Sequence, residues 1–171
     1  MMSFVDPKQV LRKMNLRDDL IAADFGCGSG SWTISLAKIL EDGKVLAVDV
    51  LEESLSALKG KAKAENINNI KFVLADLEKG SKVEDNSCDL VLMTDLLFQV
   101  EDLKFVLEQG NKALKKKGRL LIVDWKKDVA LGPREGRILP EEIKLACQKL
   151  GLNLIKEFEA GIYHFALIFQ K

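Results

Sequence analysis

The chain has 171 residues, of which 47% are hydrophobic and 30% are charged. These values predict one folded domain, residues 1–171, with a sizeable core. Lysines and arginines together number 26, as do aspartates and glutamates, so the formal net charge is zero. A neutral chain has no long-range field that would attract nucleic acid or an anionic membrane. We therefore expect no specific nucleic-acid binding.

Cysteine and histidine usage argues against a disulfide framework and against a metal site. The three cysteines are widely spaced, and the sole histidine is His164. None of these residues shows the spacing of zinc ligands. The N-terminus lacks a basic region followed by an apolar run, and no apolar stretch approaches the ~20 residues of a membrane span. The sequence therefore predicts a cytoplasmic protein without a metal or a membrane span.

The first 19 residues predict a short helix ahead of the main fold. Asp6 is suited to cap this helix, Pro7 fits its first position, and Gln9 completes a capping box. The helix should run to about Met14. We expect residues 1–19 to form a lid, with Phe4 and Asp6 closing over a ligand, and residues 20–171 to form the core.

From residue 20 onward, short apolar runs alternate with segments of helical periodicity. Strands are predicted at 20–25, 45–50, 70–74, 89–93, 119–123, 153–159 and 164–170. Helices are predicted at 33–40, 53–65, 103–114 and 140–150. This alternation predicts a parallel sheet covered by helices on both faces.

The last two strands break the alternation, because residues 160–163 alone connect them. A connection this short cannot make a parallel crossover, so the pair must form an antiparallel hairpin. The sequence thus predicts an α/β, Rossmann-like fold with a mostly parallel seven-stranded sheet and a C-terminal antiparallel hairpin.

Candidate ligand-binding residues follow the predicted strands. Open parallel sheets bind ligands beyond the carboxyl ends of their strands, near the point where strand order reverses. The first strand ends in a glycine-rich turn, residues 26–30, and later strands end at Asp49, Asp76, Asp95 and Asp124. So many carboxylates disfavour a dinucleotide, and Ser31 stands where a dinucleotide fingerprint needs its third glycine. The carboxylates favour a ligand with a cationic group and several hydrogen-bond donors.

The string Asp24-x-Gly26-x-Gly28-x-Gly30 resembles motif I of the class I methyltransferases that depend on S-adenosylmethionine (SAM). Later family motifs are resembled by residues 47–50, 75–78, 88–97 and 114–125. The resemblance runs from about Asp6 to the C-terminus and is closest to the small-molecule type, which includes quinone-biosynthesis and arsenite methyltransferases. It implies the class I methyltransferase fold, SAM as cofactor, S-adenosylhomocysteine (SAH) as product, and a small-molecule methyl acceptor.

The resemblance also implies roles for individual residues. Asp49 would take the two ribose hydroxyls, Val50 would pack on the adenine, and Asp76 would receive the adenine amine. The residues implied for cofactor binding are Asp24, Gly26, Cys27, Gly28, Gly30, Asp49, Val50, Asp76, Leu77 and Thr94. Phe98-Gln99 stands where the small-molecule type commonly has two histidines. The extra cysteines of the arsenite enzymes are missing, which argues against a metalloid acceptor.

The sequence leaves the catalytic residues unknown and offers three candidates for a base. Asp95, Asp124 and His164 could each accept a proton if the acceptor is a phenol, an amine or an acidic carbon. A lone histidine is nevertheless more often structural than catalytic. Trp125 either lines the acceptor site or caps the core. Arg134 and Arg137 lie in the long loop at 126–139 and are interpreted as solvated.

Two other function classes stay open. The segments after the fourth and fifth strands are short, so the chain could be a non-catalytic SAM-binding or interaction protein. An NAD(P)-dependent oxidoreductase on a similar fold is less favoured because of Ser31. The motifs specify the cofactor and leave the acceptor, the acceptor atom and the oligomeric state open.

Overall fold

The computed structural model describes residues 5–171 and contains all seven predicted strands and all five predicted helices. The strands are β1 (Ile21–Phe25), β2 (Lys44–Asp49), β3 (Ile70–Leu74), β4 (Cys88–Thr94), β5 (Leu114–Trp125), β6 (Asn153–Ala160) and β7 (His164–Gln170). The helices are α1 (Pro7–Arg12), α2 (Ser31–Ile39), α3 (Glu52–Ala64), α4 (Leu103–Ala113) and α5 (Pro140–Lys149). A 3-10 turn at Leu97–Gln99, which the sequence did not predict, follows β4.

The strands form one seven-stranded sheet in the order β3-β2-β1-β4-β5-β7-β6. Strands β1 to β5 pair in parallel, and β7 runs antiparallel to both β5 and β6. This arrangement confirms the predicted mostly parallel sheet with a C-terminal hairpin. The strand order reverses between β1 and β4, and the carboxyl ends of these two strands therefore lie side by side at one edge of the sheet.

Side chains of the sheet alternate between two apolar cores, as the two-residue period of a strand requires. In β1, Ala22 lies in one core, whereas Ala23 and Phe25 lie in the other, and all three are fully buried. Helices α4 and α5 cover one face, and α1 and α2 cover the opposite face. The predicted layers of helix, sheet and helix are thus confirmed.

The N-terminal helix is packed into the domain. Val10 and Leu11 of α1 are buried in the same core as Trp32 of α2. The Asp6 side chain caps α1 by accepting a hydrogen bond from the Lys8 amide at 2.9 Å, rather than from the Gln9 amide that the predicted capping box would use. Phe4 lies outside the described residues.

Strand β5 begins five residues earlier than predicted, and it includes the lysine run at 115–117. The pairing of β4 with β5 shifts register between Cys88 and Leu90, which accommodates these extra residues. Lys115 contacts Asp89 at 2.9 Å, and Asp89 also accepts a hydrogen bond from the Ile21 amide. Asp89 therefore joins the starts of β1, β4 and β5 at the edge opposite to the carboxyl ends. Within residues 5–171, none of the helices is long and apolar enough to cross a membrane.

Candidate functional site

The carboxyl edge of the sheet carries a cleft made of two adjoining compartments. The first compartment has a volume of about 300 Å³, and the second has a volume of about 390 Å³. Gly26, Gly28 and Gln99 line both of them. The first is otherwise lined by Asp49, Val50, Leu51, Ser54, Ala75, Asp76, Leu77, Glu78, Leu96 and Val100. The second is otherwise lined by Val5, Cys27, Ser29, Gly30, Ser31, Trp32, Thr94, Asp95, Trp125 and His164.

The glycine turn that separates β1 from α2 stands at the junction of the compartments. The amides of Gly26 and Cys27 both donate to the Val48 carbonyl, at 2.8 and 3.0 Å, so the turn is fixed to β2. Gly28 and Gly30 both have positive φ angles, which side chains disfavour. A Cβ atom at Gly30 would also overlap Leu58, whereas a Cβ atom at Gly28 would meet no atom within 4 Å. Gly30 is therefore required by packing, and Gly28 keeps the cleft open.

Asp24 lies beneath this turn and outside the lining of both compartments. It is fully buried, and Oδ2 accepts a hydrogen bond from the Thr33 hydroxyl at 2.6 Å. Its Oδ1 has no hydrogen-bond partner among the described residues. The pKa of Asp24 is raised to about 7, chiefly by burial and partly by the nearby Asp49 carboxylate, although the hydrogen bond from Thr33 lowers it. The residue thus supports the turn from below.

Asp49 ends β2 and faces the first compartment. Its two oxygens accept hydrogen bonds from the amides of Gly28, at 2.8 Å, and Leu51, at 2.9 Å. A carboxylate has about four acceptor positions, so two remain for a ligand. Val50, which is 59% exposed, and the similarly exposed Leu51 give this compartment an apolar wall.

Asp76 and Leu77 also line the first compartment. Lys79 contacts Asp76 Oδ2 at 2.9 Å, and the Glu78 amide donates to Oδ1. The hydrogen bond from Lys79, followed by that from Glu78, holds the pKa of Asp76 below its usual value. Asp76 is therefore an ionised, partly exposed acceptor at the rim.

The second compartment brings together residues that are far apart in the sequence. His164, the first residue of β7, pairs with Trp125 of β5 in the sheet, and their rings lie 4.2 Å apart. His164 Nε2 lies 3.0 Å from Asp95 Oδ1. Asp95 follows the last residue of β4, so the ends of three adjacent strands meet here.

Asp124 lies behind these residues and is buried. Its carboxylate accepts hydrogen bonds from the amides of Leu97, at 3.0 Å, and Trp125, at 2.8 Å. Burial raises the pKa of Asp124 to about 6. The three candidate bases are thus neighbours, but Asp124 does not line either compartment.

Thr94 and Cys27, two further predicted cofactor residues, line the second compartment and are buried. Burial raises the pKa of the Cys27 thiol well above its usual value, so this cysteine is not a reactive thiolate. Gln99 and Leu96 line the cleft although the sequence did not predict them. For Gln99 the available signal was its place in the pair Phe98-Gln99, where the chain departs from the family motif.

The long loop at 126–139 is ordered by Arg137, which the sequence interpretation wrongly described as solvated. The Arg137 guanidinium donates hydrogen bonds to five carbonyl groups of this loop. They belong to Lys126, Lys127, Val129, Leu131 and Pro133. Gly132 of the same loop packs so closely on Trp125 that a Cβ atom there would overlap the ring. The loop therefore forms the outer support of the second compartment.

The strand order, the glycine turn after β1 and the acids at the strand ends define a Rossmann-like methyltransferase fold. Residues 16–160 match the family described as a methyltransferase domain. The chain belongs to this family, which confirms the resemblance noted in its motifs.

Individual relatives agree with this membership. The chain is 34% identical over 118 residues to demethylmenaquinone methyltransferase of Staphylococcus aureus, covering 68% of this chain and 48% of the relative. It is 30% identical over 133 residues to the Bacillus cereus protein of the same name, covering 77% and 56%. The chain thus spans about half the length of the curated relatives it matches. The crystal structure of a SAM-dependent methyltransferase from Aquifex aeolicus has a TM-score of 0.89 and 27% identity, covering 97% of this chain and 89% of that one.

Proposed function

We propose that this protein binds SAM in the cleft and transfers its methyl group to a small-molecule acceptor. The observation that carries the proposal is the continuity of the two compartments across Gly26 and Gly28. One compartment has the groups that a nucleoside needs, and the other leaves space for an acceptor beside it. A ligand spanning the glycine turn would contact both.

The donor set of the first compartment fits the adenosyl part of SAM. Asp49 is held by two amides and still has acceptor positions for the two ribose hydroxyls. Val50 and Leu77 offer apolar surface for the adenine faces, and Asp76 offers an acceptor for its amine. Asp24 does not line the cleft, and its hydrogen bond with Thr33 suits an indirect role in fixing the start of α2 behind the turn.

The charge of the cleft supports a cationic ligand over a dinucleotide. The carboxylates that line the compartments belong to Asp49, Asp76, Glu78 and Asp95, and no lysine or arginine stands among the described lining residues. A pyrophosphate would be repelled by these groups, whereas a sulfonium and an ammonium would be attracted. This argues against an NAD(P)-dependent oxidoreductase.

The second compartment supports catalysis over simple binding of SAM. Its volume lies within the range of ordinary small-molecule sites, and it adjoins the glycine turn. When bound, SAM supplies a methyl group activated by a positively charged sulfur. The role of the protein is to orient the acceptor and exclude water. Trp125, held between His164 and the loop at 126–139, gives this compartment an aromatic wall.

Titration calorimetry with SAM and with SAH tests the proposal. Replacement of Asp49 by Asn removes one charged acceptor and sets an amide group against the Gly28 or Leu51 N–H. We expect the Asp49→Asn variant to bind SAH about 10- to 100-fold more weakly, as the loss of charged hydrogen bonds predicts. The exposed Asp19, paired with Arg17, provides the control variant Asp19→Asn, which should bind as the wild type does.

Transfer itself is measured with SAM labelled in the methyl group and a panel of phenols, amines and quinols that includes demethylmenaquinol, the reduced form of the compound in the relatives' name. Labelled product with any member supports the enzyme. Absence of heat with both SAM and SAH in the wild type would remove the proposal.

A further inference from the structure

We propose that Asp95 and His164 form a pair that binds the methyl acceptor through a hydroxyl or amino group and takes its proton. Asp95 is the proton acceptor, and His164 is its positioning residue. This inference rests on the proposed function and adds the class of acceptor: a neutral molecule that carries an O–H or N–H group. The acidic lining of the cleft disfavours an acceptor that arrives as an anion.

His164 is placed for interaction with Asp95 and with little else. Its side chain is 1% exposed and is stacked at a tilt against Trp125. Nε2 lies 3.0 Å from Asp95 Oδ1 in an ion-pair contact, and neither ring nitrogen makes a well-aligned hydrogen bond to any of residues 5–171. Burial of a polar ring without partners is costly. The pairing with Asp95 is therefore the polar interaction that explains a histidine at the start of β7.

Asp95 is held rigidly by its backbone while its side chain reaches the cleft. Its φ angle of 49° lies in the left-handed region, which non-glycine residues adopt infrequently. The Asp95 amide donates to the Val123 carbonyl at 2.9 Å, and the Gln99 side chain donates to the Asp95 carbonyl at 2.6 Å. The side chain is 39% exposed although Oδ1 is buried against His164. Oδ2 is consequently the oxygen left to meet a ligand in the second compartment.

Asp124 has a different task, although it lies close by. Both of its oxygens already accept backbone hydrogen bonds, from Leu97 and Trp125. It fixes the 3-10 turn after β4 and the end of β5, which carry the two walls beside Asp95. It is a structural residue of the site, and Asp95 is the carboxylate that contacts the acceptor.

In the proposed reaction, proton transfer to Asp95 accompanies methyl transfer to the acceptor. The O–H or N–H bond of the acceptor breaks, and its proton moves to Asp95 Oδ2. For an O–H acceptor, the freed electron pair, on oxygen or on a conjugated carbon, forms the new bond to the methyl carbon. For an N–H acceptor, the nitrogen lone pair forms this bond, and the N–H proton leaves as nitrogen becomes positively charged. The bond between that carbon and sulfur breaks, and its electron pair stays on sulfur. The positive charge of the sulfonium and the negative charge of the Asp95 carboxylate are both lost in this reaction. Asp95 later releases its proton to water.

A first test uses the fact that His164 is the sole histidine of the chain. In tag-free protein labelled with ¹⁵N-histidine and saturated with SAH, the imidazole gives one pair of nitrogen resonances. We expect 1-naphthol and 1-naphthylamine to shift these resonances, and 1-methoxynaphthalene, which has no such proton, to leave them unchanged. The Asp95→Asn variant should lose the response, and Asp19→Asn should keep it. Equal shifts with the methoxy compound, no shift with any probe, or a full response in Asp95→Asn would overturn the pair.

A second test separates binding from turnover with whichever acceptor of the panel is methylated. The SAH affinities of Asp95→Asn and His164→Ala are measured by calorimetry, and kcat is compared at saturating SAM so that any change in cofactor affinity is separated from turnover. We expect kcat to fall at least 100-fold in Asp95→Asn, the scale of a lost base. His164→Ala should lower kcat about 10-fold with little change in the KM for SAM, and His164→Gln, whose amide nitrogen can replace Nε2, should recover part of it.

Unchanged kcat in Asp95→Asn would overturn the inference while leaving the proposed function intact. If the wild type did not bind SAM, the proposed function itself would be removed.

Discussion

Asp24 carries a carboxyl group that the fold buries completely beneath a turn. Its pKa rises from the ordinary value of 3.8 to about 7 in the folded protein. Between these two pH values the folded protein binds more protons than the unfolded chain does. The free energy of unfolding therefore falls as the pH rises through this window, because the carboxylate must be ionised in an apolar place.

Replacement of Asp24 by Asn removes this titration and keeps an oxygen for the Thr33 hydroxyl. We expect the free energy of unfolding of Asp24→Asn, relative to the wild type, to increase from pH 4 to pH 8 by up to about 4 kcal/mol. Urea denaturation at several pH values measures the difference. Asp19→Asn should show no such increase, and a pH-independent difference for Asp24→Asn would contradict the assignment.

Single residues also mark what the sequence could not predict. A cofactor role for Asp24 stays a prediction, and its hydrogen bond with Thr33, nine residues later, was not foreseen from the sequence. Arg137 was wrongly interpreted as solvated, because the path that brings five carbonyl groups around its guanidinium is a property of the folded loop. The three cysteines are free and buried in the structure.

The turn from β1 to α2 assigns separate tasks to its glycines. Gly28 faces open space in the cleft, whereas Gly30 packs on Leu58 of α3. The same substitution should thus affect different properties at the two positions. Both glycines lie in one continuous turn, so the turn as a whole combines a binding role with a packing role.

In the Gly28→Ala variant, the new methyl group enters the space where a ligand would approach, and its φ angle of 52° adds modest strain. We expect SAH affinity to fall at least 10-fold and the free energy of unfolding to fall by about 1 kcal/mol. In Gly30→Ala, overlap with Leu58 should lower the free energy of unfolding by about 3 kcal/mol. Calorimetry and urea denaturation measure the two effects. Equal losses of stability in both variants would contradict this division.

Elements with a strong periodic pattern were predicted well, whereas pairings between distant segments were not. The strands and helices were recognised because buried strands form apolar runs and helices repeat every 3.6 residues. No periodic pattern in the sequence indicates that β7 lies between β5 and β6. Packing of distant segments decides which strands become neighbours, and local periodicity does not. The contact between Asp95 and His164, 69 positions apart, follows from that insertion and was therefore not predicted.

At the scale of the whole molecule, the cleft joins residues that lie at or next to the ends of β1, β2, β4, β5 and β7. A ligand that binds there stabilises the folded state and does not bind the unfolded chain. SAH at 100 times its Kd should add about 2.7 kcal/mol to the free energy of unfolding. For a domain of this size, the expected increase in Tm is about 5 to 10 °C.

Differential scanning calorimetry at increasing SAH concentrations checks this expectation. The Asp49→Asn variant should need a higher concentration for the same increase, because its affinity is lower. A Tm that does not respond to SAH in the wild type would contradict binding in the cleft.

The reversed direction of β7 has a consequence for how related chains are compared. A parallel strand places its last residues at the edge of the sheet where the cleft lies. The antiparallel strand β7 places its first residue there, so that His164 lies beside Trp125. In aligned homologues that methylate different acceptors, we therefore expect different residues at two kinds of position. These are the positions just past the ends of β4 and β5 and the position at the start of β7. A substitution in that first residue of the tail can alter which acceptor is accepted while every motif around the glycine turn stays the same.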